Sequence, residues 1–514
     1  MQQDDSLPTG LKHTIDLLWK ECGGDSTLHA RLEHLVTVGL VRDMNNYRSQ
    51  IKQKEQKKDM LSKSFTDFAE DFLNEHPYYY LPGSSLFIQY DDLNFTIIEE
   101  DDIQHRLYTK INHIQEFADH KTKLKTHVIR KIKERLLIDT TPESETIQKT
   151  IAIFHPFVFP SKREAQYFLT AIGDNILRKH DNIVHIVDGS AKQMMTLLSE
   201  QFCSFLGNSV ALNSFKFKYY DQSYSTTRLL TTNSRIYLPD IWRQSLPADF
   251  LNIIAVACHY SDRFKSSDGF LEKMCQDTPQ RHHTHFLSDN TPETIVAKFK
   301  AEMISDSTTS ESRITQKNML YLWKAFLCMN NLPSIMFVNT FKNEIKKITE
   351  FDQESESFIK VTSKHLPLVG SFIDFWTAHV TTDTHDGLDE LEVEELCSLF
   401  KASSERAGVP GSFTDQEILS LIQHYYPDVE IKKNRIVSGI KCDAWDKQSC
   451  IGEFMTEHKG SNGTSRVTLN KLYRLYCKSQ VGKALICNKE YFERVIRERF
   501  KDNVISKCSL KEGW

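Results

Sequence analysis

Between Ile183 and Gly207 the sequence runs IVHIVDGSAKQMMTLLSEQFCSFLG. It reads as a short buried strand (Ile183, Val184, Ile186, Val187), a turn at Asp188–Gly189 and an amphipathic helix. A strand, a glycine turn and a helix with an early lysine is the layout on which phosphate-binding loops are built. The loop itself is missing. G-x-x-x-x-G-K-[ST] supplies a long glycine-rich arc whose amides wrap phosphates, and a hydroxyl that holds magnesium. Here there is one glycine, with Lys192 soon after it and Gln193 where the hydroxyl should stand. Gly189, Ser190 and Lys192 are therefore a candidate anion contact at a helix start, and nucleotide hydrolysis is not expected.

The chain has 514 residues, 40% hydrophobic and 26% charged, with a net charge of −5. That length carries several domains, and the small net charge gives no global pull toward nucleic acid or membrane. No run approaches the roughly 20 apolar residues of a membrane span, and MQQDDSLPTG has no secretory pattern. The 11 cysteines are scattered. Most sit in apolar helical patterns (Cys203, Cys258, Cys328, Cys397), which suits a reducing compartment and free thiols.

Periodicity along the chain predicts an α+β, predominantly helical, multi-domain protein. Residues 1–76 read as helices, with a charged stretch RSQIKQKEQKKDMLSK taken as a solvated face. Residues 77–140 give a hairpin (LFIQY–DDLN–FTIIE), a helix capped by Asp101 or Asp102, and a basic helix. Residues 141–304 form a central α/β domain, a candidate degenerate ATPase-like centre with a buried helix at 248–262. Residues 314–456 are mainly helical, with Tyr321, Trp323, Phe326, Phe375 and Trp376 at helical spacing. Residues 465–514 have the size and order of a winged-helix-like unit. The polar stretches 276–293, 305–313 and 457–465 are the linker candidates.

Two stretches carry the patterning of a nucleic-acid surface. In DHKTKLKTHVIRKIKERLL, the basic residues Lys121, Lys123, Lys125, Arg130, Lys131, Lys133 and Arg135 interleave with a one-sided apolar face. In the C-terminal unit, Lys489, Arg494, Arg497, Arg499 and Lys501 accompany Phe492, Val495, Ile496 and Phe500. A recognition helix needs that division between an apolar face and basic side chains aimed at phosphates. The same pattern also describes a surface helix kept soluble by its lysines, or a protein-interaction helix.

Other chemistry is not expected. His282, His283 and His285 near Cys275 lack the paired spacing of a zinc site. Asp383, Asp386, Asp389 and Glu390 do not match a calcium loop, since its first and last ligand positions would fall on Thr382 and Val393. His155 and His259 read as core histidines. No nucleophile elbow occurs. No catalytic residue, metal or cofactor is assigned.

The segments EAQYFLTAIGDNILRK, FLNIIAVACHYSDRF, YLWKAFL–NLPSIMF and VSGIKCDAWDK resemble a conserved, uncharacterised protein family of mimivirus-like giant viruses, over most of the chain. Partial similarity to the poxvirus-type primase–helicases lies in SSLFIQYDDLNFTIIEEDDI and KLYRLYCKSQVGKALICNKEYFERVI. The second resemblance implies a repurposed ATPase scaffold that keeps DNA-binding ends. Together they imply a protein of a viral factory in the host cytoplasm, partnered with DNA or RNA and with viral replication or transcription proteins. The resulting expectation is a non-enzymatic nucleic-acid-binding protein. The alternatives are a protein–protein adaptor without nucleic-acid contact and a divergent ATPase.

Overall fold

The computed structural model describes the chain apart from residues 1–8, 180–181, 234–235, 237, 310, 383–385, 407, 409–410, 459–467, 481–484, 501–503, 507–508 and 511–514. Among the described residues helices predominate, and the sheets have two or three strands each. The fold is α+β, predominantly helical and multi-domain. It divides into two compact units, residues 1–183, 190–215 and 230–283, and residues 184–189, 216–229 and 284–514. One boundary falls between His283 and Thr284, inside the polar stretch 276–293. That stretch also holds a short helix, Pro279–Thr284, and 305–313 contributes the strand Ser305–Asp306. The core of the 457–465 linker candidate lies outside the described residues.

The first unit opens with helices Thr9–Glu21 and Ser26–His34. A π-helical turn, Leu35–Gly39, then leads into the 36-residue helix Leu40–Glu75. Only the far end of that helix is anchored, through Phe68, Ala69, Phe72 and Leu73. These pack with Ile103, Leu107, Ile111 and the basic helix into one apolar cluster. The hairpin expectation becomes a three-stranded antiparallel meander, Tyr78–Leu81, Leu86–Tyr90 and Phe95–Ile98, with Tyr80 opposite Phe87 and Gln89 opposite Thr96. The helix after it starts two or three residues earlier than expected. Glu99 is its N-cap residue, so Asp101 and Asp102 sit in the first turn, where a carboxylate still meets the positive end of the helix dipole.

Helix Lys162–Ile176, started by a Ser161–Glu164 capping box, crosses the 25-residue helix Asp240–Phe264 at close range. Glycine at 173 permits that approach, because a methyl group there would overlap the Ala257 carbonyl. The neighbouring Asp174, 3% exposed, accepts from Ser261 Oγ (2.7 Å) and the Ser267 amide (2.6 Å). The expected buried helix at 248–262 lies within Asp240–Phe264, whose Phe250, Leu251 and Ile253 to Cys258 are buried.

In the second unit, Val184–Val187 is the middle strand of a three-stranded sheet. Ile186 and Leu229 join a core built by Phe299, Leu322, Trp323, Phe326, Phe341 and Ile345. Phe372, Phe375, Trp376, Leu396, Phe400, Ile418 and Ile422 form another, beside an antiparallel sheet in which Leu391 faces Val437 and Ile431 faces Val437 from the other side. A third gathers helices Lys447–Glu457, Leu469–Ser479 and Lys489–Arg499 around Phe454, Tyr476 and Phe492, followed by a small hairpin, Val504–Ser506 with Ser509–Leu510.

Candidate functional site

The stretch that suggested a phosphate loop is a single 3₁₀ turn, Gly189–Ala191, running straight into helix Lys192–Leu206. Among the described residues nothing lies within 4 Å of where a methyl group on Gly189 would stand, and the helix has no side-chain cap. The strand before the turn and the helix after it fall in different compact units. Lys192 is exposed.

The basic stretch folds as helix Lys121–Glu134, burying Leu124, Val128, Ile129 and Ile132 as its period demands. Its charges are largely engaged nearby. Lys121 Nζ donates to Asn112 Oδ1 (2.6 Å) and Lys125 Nζ to Gln104 Oε1 (3.1 Å). Arg130 and Lys131 share Glu134, at 3.5 and 3.8 Å. Lys133 lies over the rings of Tyr80 and Phe87, while Arg135 covers Tyr79 and donates to the Leu73 carbonyl at 3.2 Å. Lys123 is the one of the seven with no such contact among the described residues. Cation–π and exposed ion pairs are each worth on the order of 1 kcal/mol or less. The ring contacts hold Lys133 and Arg135 against the meander, and the helix braces that sheet.

Helix Lys489–Arg499 buries Tyr491, Phe492, Val495 and Ile496. Two of its basic side chains face acids supplied by residues about a hundred positions earlier. Arg494 pairs with Glu390, and Arg499 with Asp386. Arg497 and Lys489 pair with Glu493 on the same helix, at 2.6 and 3.7 Å. Lys501 lies outside the described residues.

Of these contacts, the Arg494–Glu390 pair belongs to a network of buried acids. Glu390, Glu392 and Glu395 are 8%, 7% and 6% exposed. Lys447, 4% exposed, pairs with Glu395 and lies 4.4 Å from the centre of the Tyr491 ring. Glu395 Oε2 accepts the Glu392 amide at 2.8 Å, and Glu392 takes Arg435 at 3.2 Å and the Asn488 amide group. Burial pushes the Glu395 carboxyl up and Lys447 pulls it back down, burial being the larger influence. The signal in the sequence was ELEVEEL, four acids among apolar residues, of which Glu390, Glu392 and Glu395 turn inward and each need a charged or hydrogen-bonding partner.

The histidine-rich stretch carries local bonds, Cys275 Sγ to Gln280 (3.4 Å) and His285 Nδ1 to Ser288 Oγ (3.2 Å). No group of three or more His, Cys, Asp or Glu among the described residues is placed to hold a metal ion. Asp386 accepts the Leu388 amide at 3.1 Å, which with Gln448 and Arg499 holds its carboxyl below the usual range. Asp383 lies outside the described residues.

One concavity was not anticipated. Helices Gln316–Met329 and Asp415–Tyr425 enclose a cleft of about 410 Å³, closed at one side by Lys364, His365 and Leu368. Its floor is apolar, with Tyr321, Ala325, Leu368 and Phe413, and Cys328 and Met329 are exposed at its edge. Lys324 and Lys364 give it two cations, against the single carboxylate of Glu417. That carboxylate is held by the Thr414 amide and hydroxyl, both at 2.8 Å. Partial burial lowers the Lys324 ammonium, and its Nζ sits 3.2 Å from His424 Nδ1. Burial, with Glu417 and Cys328 adding to it, pushes the Tyr321 phenol up to about 12. His365 Nε2 is buried with no hydrogen-bond partner. Of the aromatics expected in this region, Trp323, Phe326, Phe375 and Trp376 are core, and Tyr321 alone reaches the cleft.

No helix among the described residues is long and apolar enough to cross a membrane. No protein-family model, curated protein or solved structure matches this chain, so its function rests on the geometry above.

Proposed function

We propose that the protein is a non-enzymatic adaptor that docks a protein segment in the cleft between helices Gln316–Met329 and Asp415–Tyr425. The cleft itself carries the reading, through its volume, apolar floor and unequal charge. A short peptide that inserts an aromatic or aliphatic side chain over Tyr321 and Phe413 leaves flanking acids beside Lys324 and Lys364. Such a groove reads an apolar anchor and an acidic neighbour together. The setting is that of the giant-virus resemblance, a factor of the viral factory working with replication or transcription proteins.

The exposed thiol of Cys328 makes the test direct. Acidic–aromatic peptides selected by display against the full chain should protect Cys328 from alkylation and leave the exposed Cys203, in the other unit, reactive. Lys324→Glu should weaken them at least tenfold. Selected peptides that bind but leave Cys328 as reactive as before would remove this reading.

A second reading, nucleic-acid binding, is favoured by the middle helix of the C-terminal trio. Lys471, Arg474 and Lys478 share one exposed face of Leu469–Ser479 and make no ion pair among the described residues. It predicts duplex or single-strand binding that weakens steeply with salt and is lost on reversing those three charges.

A further inference from the structure

We infer that the exposed half of helix Leu40–Glu75 is a self-association surface, which pairs antiparallel with the same helix of a second copy. This rests on a different part of the molecule from the cleft.

From Leu40 to Phe72 the positions 40, 44, 47, 51, 54, 58, 61, 65, 68 and 72 alternate steps of four and three, the spacing of a coiled-coil seam. Eight of the ten are apolar. At the far end the seam is filled within the chain, with Phe72 fully buried and Phe68 nearly so. At the near end it is bare. Leu40, Met44 and Tyr47 are 53%, 51% and 59% exposed, and Ile51 is 38% exposed. A helix of this kind draws most of its stability from a covered apolar face, so the bare half calls for a partner.

Charge chooses the partner and its direction. The two seam positions that are not apolar are Lys54 and Lys58. A parallel pair would set each against its own copy, two buried like-charge contacts in succession. An antiparallel pair, centred between Lys52 and Gln53, sets Lys54 against Ile51, Lys58 against Tyr47 and Leu61 against Met44. Each ammonium then meets an apolar or aromatic side chain, and Lys58 over Tyr47 is a cation–π contact. Beside the seam the same register brings Arg48 opposite Glu55 of the second copy, twice by symmetry. Neither residue has an ion-pair partner among the described residues. The matched span, Met44 to Leu61, is roughly 27 Å long at 1.5 Å per residue.

Sedimentation velocity of the full chain over a dilution series tests this. A reversible dimer is expected. Tyr47→Glu with Ile51→Glu should leave monomer throughout, with an unchanged far-ultraviolet circular dichroism spectrum because both side chains are exposed in the single chain. Arg48→Glu alone and Glu55→Arg alone should each raise the dimer Kd at least tenfold, and the double variant should restore it to within about threefold. Restoration is specific to the antiparallel register, since in a parallel pair Arg48 would face Asp43. A chain that stays monomeric at every concentration, a dimer indifferent to Tyr47→Glu with Ile51→Glu, or a charge swap without rescue each overturns the inference. So does a free chain that is monomeric and uses this face only for added duplex DNA.

Discussion

Helix Leu40–Glu75 and helix Lys489–Arg499 carry the same two ingredients, an apolar stripe and a set of basic side chains, with opposite outcomes. Near the C-terminus the stripe closes on Phe454 and Tyr476, and Arg494 and Arg499 find acids on residues 386–390. Near the N-terminus half the stripe stays open, and Arg48, Lys52, Lys54 and Lys57 stand in solvent. An amphipathic basic helix is thus a statement about one side of an interface. Whether it becomes core, brace or docking surface depends on where the complementary face lies.

The sharpest way to test the closed end is to unbalance its network. Lys447→Met leaves Glu395 buried without its cation and should cost about 3–5 kcal/mol in urea denaturation followed by tryptophan fluorescence. Adding Glu395→Gln should return most of that loss. A single-variant cost under about 1 kcal/mol would show that the acids are solvated after all. The defect should also depend on pH. Burial raises the Glu395 pKa above its unfolded value of 4.5. Between those two values the folded state holds the proton more tightly, so this carboxyl's contribution is greatest below pH 4.5 and is lost as pH rises through the folded value. The Lys447→Met penalty should therefore shrink on acidification toward pH 4.5, as the stranded carboxylate becomes neutral.

Within the long helix, Phe72→Ala should also cost about 3–5 kcal/mol, while Tyr47→Ala in the dilute single chain stays within about 0.5 kcal/mol. Equal costs at the two ends would mean the seam is covered along its whole length inside one chain. Next in size is Arg494→Ala, which strips a charged partner from Glu390 and should cost about 1.5–3 kcal/mol by the same measurement. Smallest is Lys133→Ala in the basic helix, about 0.5–1 kcal/mol from the lost contacts with Tyr80 and Phe87. If that change instead abolishes low-salt DNA binding, the helix is an interface as well as a brace.

Much of the architecture was legible because it is local. Alternation in LFIQY and FTIIE specifies strands, and apolar spacing specifies helices 121–134, 192–206 and 489–499. Each records only which side of its own element faces inward. The missing phosphate loop was legible for the same reason, since its glycines, lysine and hydroxyl must be contiguous. The cleft was not. Tyr321 and Phe413 are ninety-two positions apart, and each looks like an ordinary core aromatic until the fold brings both to one wall.

The sequence by itself determined the elements, their buried faces and the lack of a contiguous G-x-x-x-x-G-K-[ST] motif, because backbone period and contiguous motifs are properties of neighbouring residues. Only the tertiary structure decided what each charge does. Arg494 meets Glu390 across 104 positions of chain, and Lys447 is drawn into the interior by Glu395. Such pairings follow from long-range placement, where the energy of a charge depends on what surrounds it in space and on how much water is left beside it.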